Sequence, residues 1–205
     1  MKKRTAAIAF AFSLMPVGQP LLIGTAASLT SISSILAAPK KAMAEDAVFY
    51  YNRGFKKDDL GDYSGAIADY SRVIKEYPNH PRIHEVYNNR GSSKYKLEDY
   101  SGAIADYNKA LEINPRHARA YYNRGVSKRD LRDDYGAIAD YTKAIEINPR
   151  YQQAYYNRAF AKGDLGDYSG AIADYTKVIE INPRSFSAYN NRGRAKHDLE
   201  DYYGA

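Results

Sequence analysis

"YYNRG" occupies Tyr50–Gly54 and returns at Tyr121–Gly125. Close variants of it stand at Tyr87–Gly91 ("YNNRG"), Tyr155–Ala159 ("YYNRA") and Tyr189–Gly193 ("YNNRG"). When the five stretches are aligned on their last residue, the final three intervals are each 34 residues. The first interval is 37 residues, because "PRI" at Pro81–Ile83 is added between the units. Self-similarity at this period predicts stacked supersecondary units instead of one closed core.

Each unit reads as two antiparallel helices. In residues 118–151, "ARAYYNRGVSKRDL" places its apolar and small residues at helical spacing, and "DDYGAIADYTKAIEI" carries an apolar stripe at i, i+3 and i+4. Asp133 and Asp134 suit the start of the second helix, where backbone N–H groups lack partners. Asn148 and Pro149 predict its end, because proline lacks an N–H and disfavours helix before it.

The repeating pattern resembles the tetratricopeptide repeat family. The segment "GAIADYTKAIEINP" at Gly136–Pro149 recurs with small changes in every complete unit, and the resemblance covers about residues 47–205. It implies an all-α, right-handed α-solenoid of stacked antiparallel helix pairs. The domain is predicted at 45–205, with repeats at 47–80, 84–117, 118–151 and 152–185 and a partial fifth repeat at 186–205.

Residues 1–44 are predicted to be a signal peptide or leader. "MKKR" precedes an apolar run of export-signal length, and Ala42–Ala44 is a small-x-small site that would release Glu45 as the new N-terminus. The prediction is therefore an exported protein, periplasmic or extracellular. Two alternatives stay open: a membrane anchor formed by residues 5–38, or an organelle transit peptide. Membrane contact is expected only through an uncleaved leader.

The charge distribution argues against a nucleic-acid partner. The net charge is +6, but residues 1–44 hold five basic residues and no acidic one, which leaves 25 basic against 24 acidic residues in the repeats. Nucleic-acid binders usually show a basic face or stripe. The repeats instead mix both signs along their length.

Nothing in the sequence indicates catalysis, a metal site or a cofactor. Cysteine is absent, which excludes disulfides and thiolate chemistry. His80 and His84 lie four residues apart, but Pro81 between them interrupts a helix and no third ligand is evident, so no metal is predicted. No phosphate-binding glycine loop or nucleophile motif occurs. The protein is predicted not to be an enzyme.

An arginine precedes the small residue of every repeat, where the family commonly has leucine. An aspartate follows sixteen residues later in each complete repeat. The pattern predicts Arg–Asp pairs between the two helices of a repeat: Arg53–Asp69, Arg90–Asp106, Arg124–Asp140 and Arg158–Asp174. The alternative is that the charges are solvated independently. The recurring lysines Lys57, Lys94, Lys128, Lys162 and Lys196 are predicted to lie on a solvated face balanced by nearby aspartates.

The resemblance implies that the first helices line the concave side, where partners of this family bind. The matching positions form two adjacent series: Asn52, Asn89, Asn123, Asn157 and Asn191, and beside them Tyr51, Asn88, Tyr122, Tyr156 and Asn190. Asparagine can clamp an extended peptide backbone, and tyrosine supplies broad contact area. Alternatively, the asparagines satisfy neighbouring groups within the protein. One subclass of the family holds C-terminal carboxylates with Lys and Asn; here Tyr or Asn replaces that Lys, so chaperone-tail binding is not predicted.

These features predict a protein–protein interaction scaffold that binds a peptide or protein segment in the concave groove. The alternatives are a truncated regulatory or targeting fragment of a larger protein, or a self-assembling repeat module. The last alternative rests on "DYYGA" at Asp201–Ala205, which reads as the beginning of a second helix in the fifth repeat. That repeat would then offer an edge for self-association.

Overall fold

The computed structural model describes residues 45–204, so the predicted leader at residues 1–44 lies outside the described residues. The described part is helical and contains no strand. Its helices are α1 (45–59), α2 (Tyr63–Glu76), α3 (Ile83–Lys96), α4 (Tyr100–Ile113), α5 (Ala118–Asp130), α6 (Asp134–Ile147), α7 (Gln152–Asp164), α8 (Tyr168–Ile181) and α9 (Phe186–Gly204). No helix in this range is long and apolar enough to cross a membrane.

The helices form the predicted α-solenoid of antiparallel pairs. The odd-numbered helices α1, α3, α5, α7 and α9 are the first helices of their repeats, and α2, α4, α6 and α8 are the second helices. From α2 onward, each helix packs against the next one in the chain, and neighbouring first helices also touch, as α3 and α5 do. The predicted all-α stack of helix pairs is confirmed.

The second helices begin and end where the sequence predicts. Asp133 precedes α6 and accepts a hydrogen bond from the backbone N–H of Gly136 at 2.9 Å. Asp62, Asp99 and Asp167 cap the other second helices in the same way. At the far end, α6 stops at Ile147, directly before Asn148 and Pro149. The aspartate and the proline thus fix the length of the helix by satisfying or removing its terminal backbone groups.

The hydrophobic core lies between repeats. Val73 and Tyr70 of α2 pack with Ile83 and Val86 of α3, and equivalent clusters join α4 to α5, α6 to α7 and α8 to α9. Val86 is fully buried, and burying a side chain of this size contributes about 1.5–3 kcal/mol. Because each cluster takes side chains from two repeats, the repeats stabilise one another.

Close contact between the helices of a repeat explains the small residue in α3 and α5. A Cβ atom placed on Gly125 would lie 2.8 Å from Cε1 of Tyr141, and one on Gly91 would lie 2.7 Å from Cε1 of Tyr107. Both tyrosine rings are buried against the glycine. The fourth repeat has Ala159 at this position, also fully buried, so that repeat accommodates the extra methyl group.

The predicted Arg–Asp pairs are confirmed in all four complete repeats. In each pair the arginine Nε and Nη2 donate to the two oxygens of one carboxylate, a bidentate geometry. The Nε distances are 2.8 Å for Arg53–Asp69, 2.9 Å for Arg90–Asp106, 2.9 Å for Arg124–Asp140 and 2.8 Å for Arg158–Asp174. The four aspartates are nearly fully buried. Independent solvation of these charges is therefore wrong.

Four of the five lysines predicted to lie on a solvated face join the same carboxylates instead, while Lys196 is exposed as predicted. Nζ of Lys128 lies 2.8 Å from Asp140, and Lys57, Lys94 and Lys162 contact Asp69, Asp106 and Asp174 at 3.0, 2.9 and 2.9 Å. The lysine follows the arginine by four residues, so both stand on one side of the first helix and reach the same aspartate. We call each Arg–Asp–Lys set an ion-pair cluster.

The helix α9 differs from the other first helices. In the complete repeats the first helix ends directly before a recurring leucine, as α5 does before Leu131. In contrast, α9 runs on past Leu199 to Gly204, through the stretch that reads as the start of a second helix. Within the described residues no second helix packs on α9.

Candidate functional site

The two predicted series of site residues form one hydrogen-bonded strip across the first helices. In each bond, an asparagine Nδ2 donates to a side chain of the preceding repeat, namely the one that stands directly before the corresponding asparagine of that repeat. The bonds are Asn89 to Tyr51 Oη at 3.1 Å, Asn123 to Asn88 Oδ1 at 3.1 Å, Asn157 to Tyr122 Oη at 3.0 Å and Asn191 to Tyr156 Oη at 2.7 Å. We call the surface that carries this strip the first-helix face. Asn52 and Asn190 are exposed, and their side chains make no hydrogen bond within residues 45–200.

The strip leaves acceptors available and few donors. Nδ2 of Asn123 and of Asn157 is occupied by the preceding repeat, while Oδ1 of each makes no hydrogen bond with the described side chains. An amide oxygen can accept from a backbone N–H. The arrangement can therefore satisfy the N–H groups of an extended segment laid across the face, while the bonds between repeats keep the amides in place.

At the first two repeats the strip ends in a charged cluster. Arg82 binds Glu85 with Nε at 2.8 Å, and Tyr51 Oη donates to Glu85 Oε2 at 3.4 Å. The hydrogen bond from Arg82 lowers the pKa of Glu85, and burial raises the pKa of Tyr51. From the next repeat, Arg119 Nη2 donates to Asn89 Oδ1 at 3.2 Å and is otherwise exposed. This end of the face presents a positive charge.

Aromatic rings line the middle of the face. Tyr122 packs on Tyr141 with centroids 5.9 Å apart and on Tyr151 at 5.1 Å, and Tyr156 packs on Tyr175 at 5.5 Å. Burial raises the pKa of Tyr122, and it raises the pKa of Tyr151 to about 12. These phenols therefore stay neutral near neutral pH and act as hydrogen-bonding and stacking groups.

A third series of residues on the face was missed in the sequence. Ser92, Val126 and Phe160 stand one helical turn after Asn88, Tyr122 and Tyr156, and Tyr95 lies three residues further. Tyr95 Oη donates to Asp130 of the next first helix at 2.6 Å. The i, i+4 spacing from the predicted tyrosine position would have found these residues, because it marks one face of a helix.

The histidines do not form a metal site. His84 packs edge-on against His117 with ring centroids 5.3 Å apart, and His80 Nδ1 accepts a hydrogen bond from the backbone of Arg82 at 3.2 Å. Burial, followed by the charge of His84, lowers the pKa of His117. In the described part of the chain, no three His, Asp or Glu side chains are grouped so as to hold a metal ion.

Family models match most of the described helices. Models described as "Tetratricopeptide repeat" match residues 43–80, 118–151 and 153–185, and one described as "TPR repeat" matches residues 91–128. The chain matches no curated protein.

Several solved structures are similar to the chain. One is described as "Crystal structure of MamA protein": it is 30% identical, the match covers 76% of this chain and 83% of that one, and the TM-score is 0.69. A second is "First TPR of Spaghetti (RPAP3) bound to HSP90 peptide SRMEEVD", 28% identical over 57% of this chain and 92% of that one, with a TM-score of 0.55. A third is the NMR structure of the first TPR domain of the human RPAP3 protein. It is 26% identical over 61% of this chain and 98% of that one, with a TM-score of 0.58.

Proposed function

The chain belongs to the tetratricopeptide repeat family, whose fold is generally a non-catalytic scaffold for protein interactions, and we propose that it binds an extended peptide segment of a protein partner along the first-helix face. The similar domain described as bound to an HSP90 peptide supports a peptide as the ligand class. The hydrogen bonds of the first-helix face give a second reason to expect an extended peptide there.

The observation that carries the proposal is the hydrogen-bonded strip with its unused amide oxygens at Asn123 and Asn157. Packed helices lie about 8–10 Å apart, and an extended chain advances about 3.3 Å per residue. One repeat therefore spans about three peptide residues, so successive amide oxygens can accept from N–H groups along one segment. The rings of Tyr122 and Tyr156 flank them and supply contact area.

The test places a photo-crosslinking amino acid on the face. The full chain carries it at Val126 in one variant and at Glu146, on the outer side of α6, in the other. Extract from the source cells is then crosslinked and the captured segment is sequenced. The proposal expects one extended segment captured at Val126 and not at Glu146. Equal capture at both positions, or capture at Glu146 alone, would contradict it.

A second variant set examines the strip itself. Asn123→Ala with Asn157→Ala should weaken binding of the captured segment, because both acceptors are lost. Glu146→Ala with Glu180→Ala is the matched control at repeated positions on the second helices, where both glutamates pair with exposed lysines. Circular dichroism of each variant checks that the helices remain. Binding that survives the asparagine changes would remove the strip from the proposal.

Association of two copies through α9 is a second candidate. Phe186 is 81% exposed and Tyr189 is 44% exposed on this helix, and exposed rings on one helix favour docking of another surface. Light scattering of the full chain would then show a mass that rises with concentration, and Phe186→Asp with Tyr189→Asp would abolish the rise. A constant monomer mass excludes this candidate.

A further inference from the structure

The first-helix face contains a pocket between α7, α8 and α9 whose walls carry carboxylates and aromatic rings. Its volume is about 180 Å³, and the side chains that matter to its chemistry are those of Phe160, Asp164, Tyr168, Arg194 and Asp198. At about 30 Å³ per water molecule the space equals roughly six waters, which is room for one long side chain.

The pocket differs from its counterpart in the second repeat by one missing side chain. Four residues after the small residue of the first helix (Gly91, Gly125 and Ala159), the second and third repeats carry Tyr95 and Arg129, and the fourth carries Gly163. A Cβ placed on Gly163 would meet only the Cβ of Ala171, at 4.0 Å. The pocket therefore extends past Gly163 to Tyr168 and Ala171 of α8, whereas the equivalent pocket of the second repeat, beside Tyr95, does not reach Tyr100 or Ala103.

The side chains at the other junctions indicate what belongs there. Tyr95 reaches across to the next first helix and donates to Asp130 at 2.6 Å. Arg129 reaches across in the same way and lies over the ring of Phe160, with its guanidinium carbon 5.3 Å from the ring centroid. In both cases a hydrogen-bond donor or a cation from one repeat meets a carboxylate or an aromatic ring of the next.

The walls of the pocket offer both of those partners to an incoming group. Asp198 is the counterpart of Asp130, and its nearest arginine, Arg194, is 84% exposed and 3.8 Å away on the same helix. The carboxylate of Asp164 makes no ion pair or hydrogen bond among residues 45–200. The rings of Phe160 and Tyr168 complete the lining. Carboxylates beside aromatic faces attract a guanidinium or an ammonium group.

We propose that this pocket receives an arginine or lysine side chain of the partner segment. The inference rests on the proposed function, because it makes the pocket the anchor point of a peptide on the first-helix face. The incoming cation would take the place that Gly163 leaves empty, with its charge near Asp164 and Asp198 and its stem against Phe160.

A comparison of two pockets in the chain separates the effect of the charge of their walls from the effect of their size. The equivalent pocket of the second repeat, of about 230 Å³, lies between α3, α4 and α5 and is lined by Ser92, Lys96 and Tyr122 among others, without any carboxylate. The two pockets are similar in size, so a ligand that responds only to volume would enter both. A cation should avoid the pocket of the second repeat because of Lys96.

The test titrates the isotope-labelled full chain with N-acetyl-arginine methylamide and, as the neutral probe, N-acetyl-glutamine methylamide, and follows the backbone amides by NMR. The arginine compound should give saturable shifts at Gly163 and Ala195, and the glutamine compound should not. Equal shifts with both compounds, or arginine shifts centred on Ser92 and Tyr122, would overturn the proposal.

Four variants sharpen the result. Asp164→Asn with Asp198→Asn should weaken binding of the arginine compound about tenfold, the effect of losing two modest ion pairs. Asp59→Asn with Glu112→Gln removes the same charge from exposed positions away from the pocket and should leave the affinity unchanged. Gly163→Tyr should also weaken binding, because a tyrosine there can donate to Asp198 as Tyr95 donates to Asp130, whereas Ser92→Phe changes the other pocket and should not. If the Asp59→Asn, Glu112→Gln control also lost affinity for the arginine compound, binding would depend on the net charge of the protein and not on the two carboxylates of the pocket, which would contradict the proposal.

The two proposals fail separately. If the photo-crosslinked segment binds normally to the Asp164→Asn, Asp198→Asn and Gly163→Tyr variants, the pocket is not its anchor while the first-helix face remains its site. If the arginine compound binds the pocket but Val126 captures no segment, the pocket stands and the extended-peptide function does not.

Discussion

The ion-pair clusters of the first and third repeats use the same residues in different surroundings. Arg53 and Arg124 bind their aspartates with Nε distances of 2.8 and 2.9 Å. The side chain of Arg53 is 42% exposed, whereas that of Arg124 is 19% exposed. Arg124 Nη1 also donates to Asn108 of the preceding second helix at 2.6 Å. Within the described residues, Arg53 has no preceding second helix to receive that bond.

The difference shows that a repeat acquires its buried polar contacts from its neighbour. The two aspartates are equally buried, but the arginine of the third repeat gains its burial and its third hydrogen bond from the repeat before it. Arg90 and Arg158 follow Arg124, donating to Ser71 and Thr142 at 2.9 Å. Stability of such a stack is therefore set largely at the junctions, and the clusters can be used to measure it.

Removing the aspartate should have the largest effect, and more in the third repeat than in the first. Asp140→Ala leaves Arg124 and Lys128 without their counter-charge in a largely buried position, which should lower the free energy of unfolding by about 3 kcal/mol. Asp69→Ala should cost distinctly less, because water can reach Arg53. Urea unfolding followed by circular dichroism measures both. Equal losses would mean that the neighbouring repeat contributes nothing to the cluster.

The hydrogen bond between repeats should have an intermediate effect. Thr142 Oγ1 accepts from Arg158 at 2.9 Å, and Thr176 Oγ1 accepts from Arg192 at 3.3 Å; both hydroxyls also donate to their own helix at 2.8 Å. Thr142→Val should lower the unfolding free energy by about 1.5 kcal/mol and Thr176→Val by about 0.5 kcal/mol, because the first bond is shorter. The two valine variants control for each other, and a larger loss at Thr176 would contradict the ranking.

The sequence predicts the pairs within a repeat better than the bonds between repeats. The sixteen-residue spacing of Arg124 and Asp140 is visible in every complete unit, and the resemblance places both on facing helices. The contact of Lys128 with Asp140 was missed because an aspartate close in sequence, Asp130, was taken to balance the lysine, and the choice depends on which way the lysine side chain points along the helix.

The same limit applies to the candidate site. The two series of asparagines and tyrosines are evident in the sequence, but the bond from Asn157 to Tyr122 depends on how far one first helix is shifted against the next. That register is set by packing of the whole repeat. The pocket at Gly163 is visible only once Tyr95 and Arg129 are seen to reach the following helix, since a single glycine near a helix end is otherwise ordinary.

Acid should reveal a smaller contribution from the first cluster. The hydrogen bond from Arg53, assisted by Lys57, lowers the pKa of Asp69 below its value in the unfolded chain, which is about 3.9. The carboxylate therefore stabilises the fold above that pH, and the contribution is lost as the pH falls through the pKa of folded Asp69. Urea unfolding at decreasing pH should show a steeper loss for the natural chain than for Asp69→Asn. Parallel curves would mean that the pairing does not persist in solution.

The smallest effect is expected from an ion pair on the same second helix as Asp140. Glu146 lies 2.7 Å from Lys143, but both side chains are more than half exposed, and exposed pairs of this kind contribute little because water and salt compete with them. Glu146→Gln should therefore leave the urea midpoint unchanged, whereas Asp140→Asn, which removes the same charge from the same helix, should shift it clearly. Because the two substitutions match in charge and in helix, they separate burial from net charge. A loss at Glu146 equal to that at Asp140 would mean that the number of charges, and not their position between repeats, stabilises the stack.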